Sequence, residues 1–247
     1  MTDAAKELLE RVKDDPLFQK YLFLFVGGTA LSHSIGHRIS EDLDFAFTSP
    51  LPVFDIKTFA MRHNGVFVSD PKTSAFMINS GVDFDTRFIR LMIDRVKVEF
   101  FFPEDHFSQM CLSGEHSPYG ESHINVLNPT DVSKMKVKAL MDRVKIRDLY
   151  DITVALDQGI LSEEDFFTAV SNYIQKDETW VLERISSMKE QKGDESLYFA
   201  DNKEPPTFEV LKKSLFDRLD HYLKKSLLET DKVLEGFLDA ARRQQQR

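Results

Sequence analysis

Asp42 and Asp44 lie two positions apart in the stretch Asp42-Leu-Asp-Phe-Ala-Phe47. Side chains two apart on a β-strand leave the same face, so both carboxylates project together, within about 7 Å of one another. Carboxylates that close repel, and holding both ionised calls for a cation. Oxygen donors of this kind suit Mg2+ or Mn2+. A third acid, Glu99, stands in a second alternating stretch, Arg95-Val-Lys-Val-Glu-Phe-Phe-Phe102, and would complete a two-metal set. Gly27-Gly28-Thr29 follows an apolar run and reads as a strand-to-helix turn, where backbone N–H groups and a helix N-terminus attract phosphate. An isolated Asp-x-Asp is ordinary on a solvent-facing strand, and paired glycines are most often only a turn. Only together do they point to chemistry on a phosphate ester. The spacing and lysine of a P-loop are absent, as is a dinucleotide-binding glycine fingerprint.

The elements that must position these residues follow from periodicity. Leu22–Val26 is wholly apolar, as expected of a buried strand. In 42–47, Leu43, Phe45 and Phe47 share one face, and Asp42, Asp44 and Ala46 the other. In 95–102, Val96, Val98, Phe100 and Phe102 oppose Arg95, Lys97, Glu99 and Phe101. Each strand thus offers an apolar face and a carboxylate-bearing face, which fits a sheet backed by helices. Helices are expected near 4–14, stopping before Pro16, and near 55–63, with short strands around Phe67, Phe76, Phe84 and Phe88 between. From Asn128 the character changes. Pro129-Thr-Asp131 is a helix start, and helical patterns run near 131–157, 162–175, 177–190 and 207–242, with a loop at Gly193–Pro206. Lys136, Arg143, Arg147 and Asp151 are spaced so that one continuous helix would line them along one side. The expected architecture is α+β: an α/β domain over 1–128, a mixed sheet with helices, and a C-terminal helical bundle over 129–247 that contributes Lys136 and Arg147-Asp148 to the cleft.

Composition bounds the rest. The 247 residues are 42% apolar with 21 phenylalanines, enough for a sizeable core, and the net charge of −9 argues against an overall basic coat. Against that acidity, Lys134, Lys136, Lys138, Arg143, Lys145 and Arg147 form a local basic run suited to a triphosphate and an RNA acceptor. The single cysteine, Cys111, allows no internal disulfide and has no local base. The charged, amphipathic N-terminus is unlike a signal peptide, and no stretch reaches membrane-span length. A cytoplasmic protein that makes no membrane contact is the expectation. His33 and His37, four apart, lack the intervening glutamate and third ligand of a zinc site. Trp180 and the phenylalanines read as packing.

The string GGTALSHSIGHRISEDLDF, residues 27–45, resembles the polymerase β-like nucleotidyltransferase superfamily, and within it the AbiEii/AbiGii toxin family. Gly27-Gly28-Thr29-Ala-Leu31, Arg38, Ser40, Asp42 and Asp44 carry the first part of the likeness. Lys136, Ala139-Leu140, Arg143, Arg147, Asp148 and Asp151 carry the second, so the motifs span roughly residues 23–156. The resemblance implies a nucleotidyltransferase that moves a nucleoside monophosphate from a nucleoside triphosphate to an acceptor hydroxyl, on tRNA or protein. It implies the toxin of a toxin–antitoxin or phage-defence system, opposed by an antitoxin. Asp42, Asp44 and Glu99 would hold Mg2+ or Mn2+, and Gly27, Gly28, Thr29, Arg38, Lys136 and Asp148 would bind the nucleotide. The third acid of the superfamily is commonly aspartate, so Glu99 is a departure, with Asp83, Asp85 and Asp94 as rivals. A non-catalytic nucleotide- or partner-binding module, or a transferase acting on a small molecule, are the alternatives.

Overall fold

The computed structural model describes residues 1–68, 86–191, 197–199 and 204–245, with side chains to 229 and at 232. Asp83, Asp85, Phe76 and Phe84 lie outside the described residues.

Among the described residues, seven strands form one mixed sheet in the order β3-β4-β5-β2-β1-β7-β6. In chain order they are β1 Leu24–Val26, β2 Leu43–Ala46, β3 Val66–Phe67, β4 Phe88–Ile93, β5 Val96–Phe101, β6 His116–Pro118 and β7 Asn125–Leu127. The registers at the centre matter most. β2 runs parallel to β5 with Asp44 opposite Glu99, and antiparallel to β1 with Val26 opposite Asp44. The β4–β5 hairpin closes through Asp94 and Arg95, both at positive φ (49° and 68°), the conformation of a tight two-residue hairpin turn. That places Asp94 at the turn, where it pairs with Arg11 at 2.6 Å.

The alternation seen in the sequence sorts side chains as expected. Leu43, Phe45, Val96, Val98 and Phe100 are buried on one face of the sheet, where Phe45 and Phe100 stack with ring centres 5.4 Å apart. Helices α1 Asp3–Val12, α2 Pro16–Lys20 and α4 Val53–Arg62 cover that face. Pro16 begins α2 because proline fits the first helical position, and the Asp15 carboxylate caps it by accepting from the Leu17 N–H at 2.8 Å. The helix expected over 4–14 therefore ends at Val12 and a second one follows. On the opposite face Leu24, Val26 and Ala46 pack with Leu31 of α3 (Gly27–Ile35), Leu112 of α5 (His106–Leu112) and Val132 of α6 (Pro129–Asp142).

Among the described residues the remaining helices are α7 Ile146–Asp157, α8 Glu163–Ile174, α9 Glu178–Ser187 and α10 Phe208–Gln245. Their apolar stripes, such as Phe208, Leu211, Leu215 and Leu219 on α10, share one core with α6 and with Phe107 and Cys111 of α5. Asn128 caps α6, its Oδ1 accepting from the Asp131 N–H at 2.9 Å. The single helix expected over 131–157 is two. Arg143 and Lys145 are extended (φ −140° and −123°), and Val144 between them is buried in the helical core. Within the stretch expected as a loop, the Ile39 N–H donates to the Tyr198 carbonyl at 2.8 Å.

Candidate active site

The glycines of the β1–α3 turn are required by what presses on them. Gly27 sits at φ +75°, and a Cβ there would lie 2.1 Å from Asp44 Oδ2. A Cβ on Gly28 would lie 2.3 Å from Arg38 Nη2. The Asp44 carboxylate and the Arg38 guanidinium thus rest directly on the turn. Thr29, expected to touch nucleotide, is fully buried and donates through Oγ1 to Ser40 Oγ at 2.8 Å. It ties α3 to the loop that carries Arg38 and Asp42, beneath the cleft floor.

Above the turn opens a cleft of about 160 Å³. Asp42, Asp44, Glu99 and Asp148 line it together with Gly28, Ser40 and the cations Arg38, Arg90, Lys97, Lys136, Arg143, Lys145 and Arg147. Residues from β2, β4, β5, α6, α7 and two loops thus converge, and every charged residue expected at the site is among them. A second cavity of about 280 Å³ adjoins it, sharing Asp44, Glu99, Lys136 and Arg143 and walled by Phe88, Phe101, Val132 and Met135.

The three acids differ in their surroundings. Burial, then the neighbouring Glu99 and Asp42 charges, raise the Asp44 pKa to about 7, opposed by Lys136 and Lys97. Asp42 pairs with Lys97 Nζ at 2.7 Å. Glu99 accepts from Arg90 Nε at 2.6 Å and lies 3.8 Å from Lys97 Nζ. Among the described residues no three His, Cys, Asp or Glu side chains converge closely enough to enclose a metal ion. Two of the three acids lean instead on cations of the sheet.

Beside the acids, α7 supplies a buried anionic hub. Asp151, fully buried, accepts from Arg38 Nε and Nη2 at 2.6 and 3.0 Å. It also contacts His37 Nε2 at 2.7 Å and Lys136 Nζ at 3.1 Å. Burial would push its carboxyl up, but Lys136, His37 and Arg38 more than reverse this and hold it far below the carboxylate range. Asp148 accepts from Lys136 Nζ at 2.8 Å and Arg143 Nε at 3.1 Å. Against the burial penalty, Lys136 and Arg143 keep it ionised. Lys136 in turn stays charged despite burial because Asp148 and Asp151 face it. The basic run is divided by these pairings: Lys134 pairs with Asp131, and Lys138 with Asp105, both away from the cleft lining. Arg143, Lys145 and Arg147 remain along it.

Sequence reasoning missed Arg90 and Lys97 as site residues, and it gave Asp151 a place along a helix side and in the family likeness but no role at the site. The signal for Lys97 was present, since it shares the Glu99 face two positions away. Arg90 is found only through the register that sets it opposite Glu99. His33 packs its ring 5.0 Å from Tyr119, whereas His37 turns to Asp151, so the two histidines do not meet. Burial pushes the Cys111 thiol up to about 12, which leaves it no nucleophilic role near neutral pH. No helix among the described residues is long and apolar enough to cross a membrane.

A family model for the nucleotidyl transferase AbiEii toxin, type IV toxin–antitoxin system, matches residues 7–241. A search of curated proteins returned no match. Among solved structures the chain is similar to JHP933 from Helicobacter pylori, with 17% identity, 96% of this chain and 99% of that one covered, and a TM-score of 0.48. It is also similar to an antigenic nucleotidyltransferase-like protein from Paracoccidioides brasiliensis, with 15% identity, 75% and 92% covered, and a TM-score of 0.40.

Proposed function

Because the chain belongs to the nucleotidyl transferase AbiEii toxin family of a type IV toxin–antitoxin system, and is thereby a nucleotidyltransferase, we propose that it uses divalent metal to move a nucleoside monophosphate from a triphosphate to an acceptor hydroxyl. The carrying observation is the register that sets Asp44 opposite Glu99, with Asp42 lining the same cleft and the Gly27-Gly28 turn directly beneath.

The donor set suits Mg2+ or Mn2+ in kind, although Asp42 and Glu99 would have to leave Lys97 and Arg90 to close on an ion. The set is all hard oxygen, and burial, with the Glu99 and Asp42 charges beside it, raises the Asp44 pKa to about 7, a cost of ionisation that a divalent cation would offset. Asp42, Asp44 and Glu99 would hold the metal. When bound, it supplies positive charge to the triphosphate and the departing pyrophosphate and acidifies the attacking hydroxyl. The protein's own groups do the rest. Arg143, Lys145 and Arg147 offer cations to the triphosphate along the cleft wall. Lys136, fixed by Asp148 and Asp151, adds a charge whose position does not wander. Arg38, pinned by Asp151 against Gly28, sets the floor on which phosphate oxygens would rest. Glu99, as one of the carboxylates that would hold the metal, would help lower the pKa of the attacking hydroxyl.

In this reading residues 1–128 form the catalytic α/β domain and 129–247 a helical domain, closing over the nucleotide from either side. The cationic cleft wall favours an RNA acceptor, tRNA among them, and an antitoxin would oppose the activity in the cell. Incubation with Mg2+ and each α-labelled nucleoside triphosphate in total RNA and protein extract tests this. Label entering RNA, dependent on Asp44, supports it. Label entering protein redirects the acceptor, and absence of transfer with all four triphosphates leaves a binding module.

A further inference from the structure

Lys97 is placed unlike an ordinary surface lysine. It alternates with Val96 and Val98, which are buried, so its side chain leaves β5 on the same face as Glu99. Its ammonium stands 2.7 Å from Asp42 Oδ2 and 3.8 Å from Glu99 Oε1, bridging β5 and the loop that leads into β2 and touching two of the three acids. Asp44, the remaining acid, also feels it. Glu99 has a second cation in Arg90, directly opposite in register and bonded at 2.6 Å. Among the described residues Asp42 has Lys97 as its ion-pair partner. One monovalent cation on a flexible four-carbon stem therefore stands among the carboxylates that the proposed function assigns to divalent metal.

We propose that Lys97 is a tethered counter-ion that competes with divalent metal for Asp42 and Glu99 in the nucleotide-free protein. Free metal then binds weakly, because each ion must displace an ammonium whose effective concentration at the site is set by its own backbone. The metal instead enters with the triphosphate, whose charge draws the released ammonium onto a phosphate oxygen. Lys97 is in this sense a positioning residue that couples metal entry to nucleotide entry. The inference rests on the metal-binding reading of Asp42, Asp44 and Glu99.

The test uses the full chain and Mn2+ alone, with free Mn2+ read by electron paramagnetic resonance, so no turnover is needed. Lys97→Gln should bind Mn2+ at least tenfold more tightly than wild type, while Lys97→Arg, which keeps the charge, should stay within about threefold. If Lys97→Gln binds Mn2+ equally or more weakly, the lysine orients Asp42 for the metal and the proposal is overturned. Equal tightening in Lys97→Arg overturns it as well, since the charge would then not matter. Asp44→Asn separates the two layers of argument. Mn2+ binding lost in Asp44→Asn but unchanged in Lys97→Gln sinks only the Lys97 inference. Binding absent from wild type and Lys97→Gln alike sinks the metal reading itself. Should the substitutions fail to fold, acetylation of Lys97 in wild type, followed by mass spectrometry, supplies the answer. Saturating Mn2+ should release the amine and raise its labelling several-fold, and an unchanged rate refutes displacement.

Discussion

Asp44→Asn should make the metal-free protein more stable while abolishing transfer. The Asp44 pKa is raised from 3.8 to about 7 by burial and by Glu99 and Asp42. A shift of about three units is worth roughly 4 kcal/mol if the site is sealed. Asp44 is half-buried and borders an open cleft, which reduces this to about 2 kcal/mol. The folded protein holds the Asp44 proton more tightly than the unfolded chain does, so ionised Asp44 opposes folding. That cost is absent below about pH 4, grows as pH rises, and is complete just above pH 7. Asparagine removes it. Thermal unfolding without metal should therefore show Asp44→Asn melting roughly 4–8 °C above wild type at pH 8, with a clearly smaller gain at pH 5. Mg2+ added together with nucleoside triphosphate should raise the melting temperature of wild type more than that of Asp44→Asn. A variant less stable than wild type at pH 8, or one whose gain is the same at both pH values, refutes the electrostatic account of this acid.

Asp151→Asn should cost about 3–5 kcal/mol, because Lys136 and Arg38 would lose a buried countercharge; the midpoint of denaturant unfolding reads this. Its depressed carboxyl contributes stability above the unfolded pKa that is lost as pH falls toward the folded value, so the variant should lack part of wild type's acid-induced destabilisation below about pH 4. Gly28→Ala puts a methyl 2.3 Å from an Arg38 nitrogen that Asp151 pins, and should destabilise by about 1–3 kcal/mol with transfer reduced at least tenfold. Glu99→Gln should fold normally and lower kcat by about 100-fold or more, with a smaller effect on KM for the nucleotide. A raised KM with kcat unchanged would assign Glu99 to binding instead.

Much of this arrangement was legible in the sequence wherever one strand or turn sufficed. The side shared by Asp42 and Asp44, the face of Glu99 and the helix start at Pro129 follow from periods of two and from turn chemistry. β6 and β7 were not, because each is three residues long and held by pairing rather than by an apolar pattern. The glycines have a structural reason that the spacing alone did not show. Their permissiveness serves the approach of Asp44 and Arg38 to the backbone, contacts that no linear spacing reveals. Thr29 was assigned to the nucleotide because its hydroxyl begins a helix, yet Ser40 satisfies that hydroxyl. Arg90 required the strand register, and Asp151 required the fold of α7 against α3 and α6.

The division of one expected helix into α6 and α7 is what makes the cleft. In a continuous helix, Lys136 and Asp148 would stand about 18 Å apart along the axis; here Lys136 Nζ reaches Asp148 Oδ1 at 2.8 Å. The break runs through Arg143-Val144-Lys145, where the chain is extended. Extended residues alternate: Val144 turns into the helical core, while Arg143 and Lys145 turn out along the cleft. One buried β-branched side chain thereby anchors the turn, and the same three residues deliver two cations to the site. The reversal also brings Asp148 and Asp151 to face Lys136 and Arg38, residues that would otherwise lie buried and uncompensated. Burial of those cations is tolerable only because the carboxylates are there. The helix break, the buried acids and the cationic wall are therefore one device, and moving any part of it leaves an unpaired charge inside the protein.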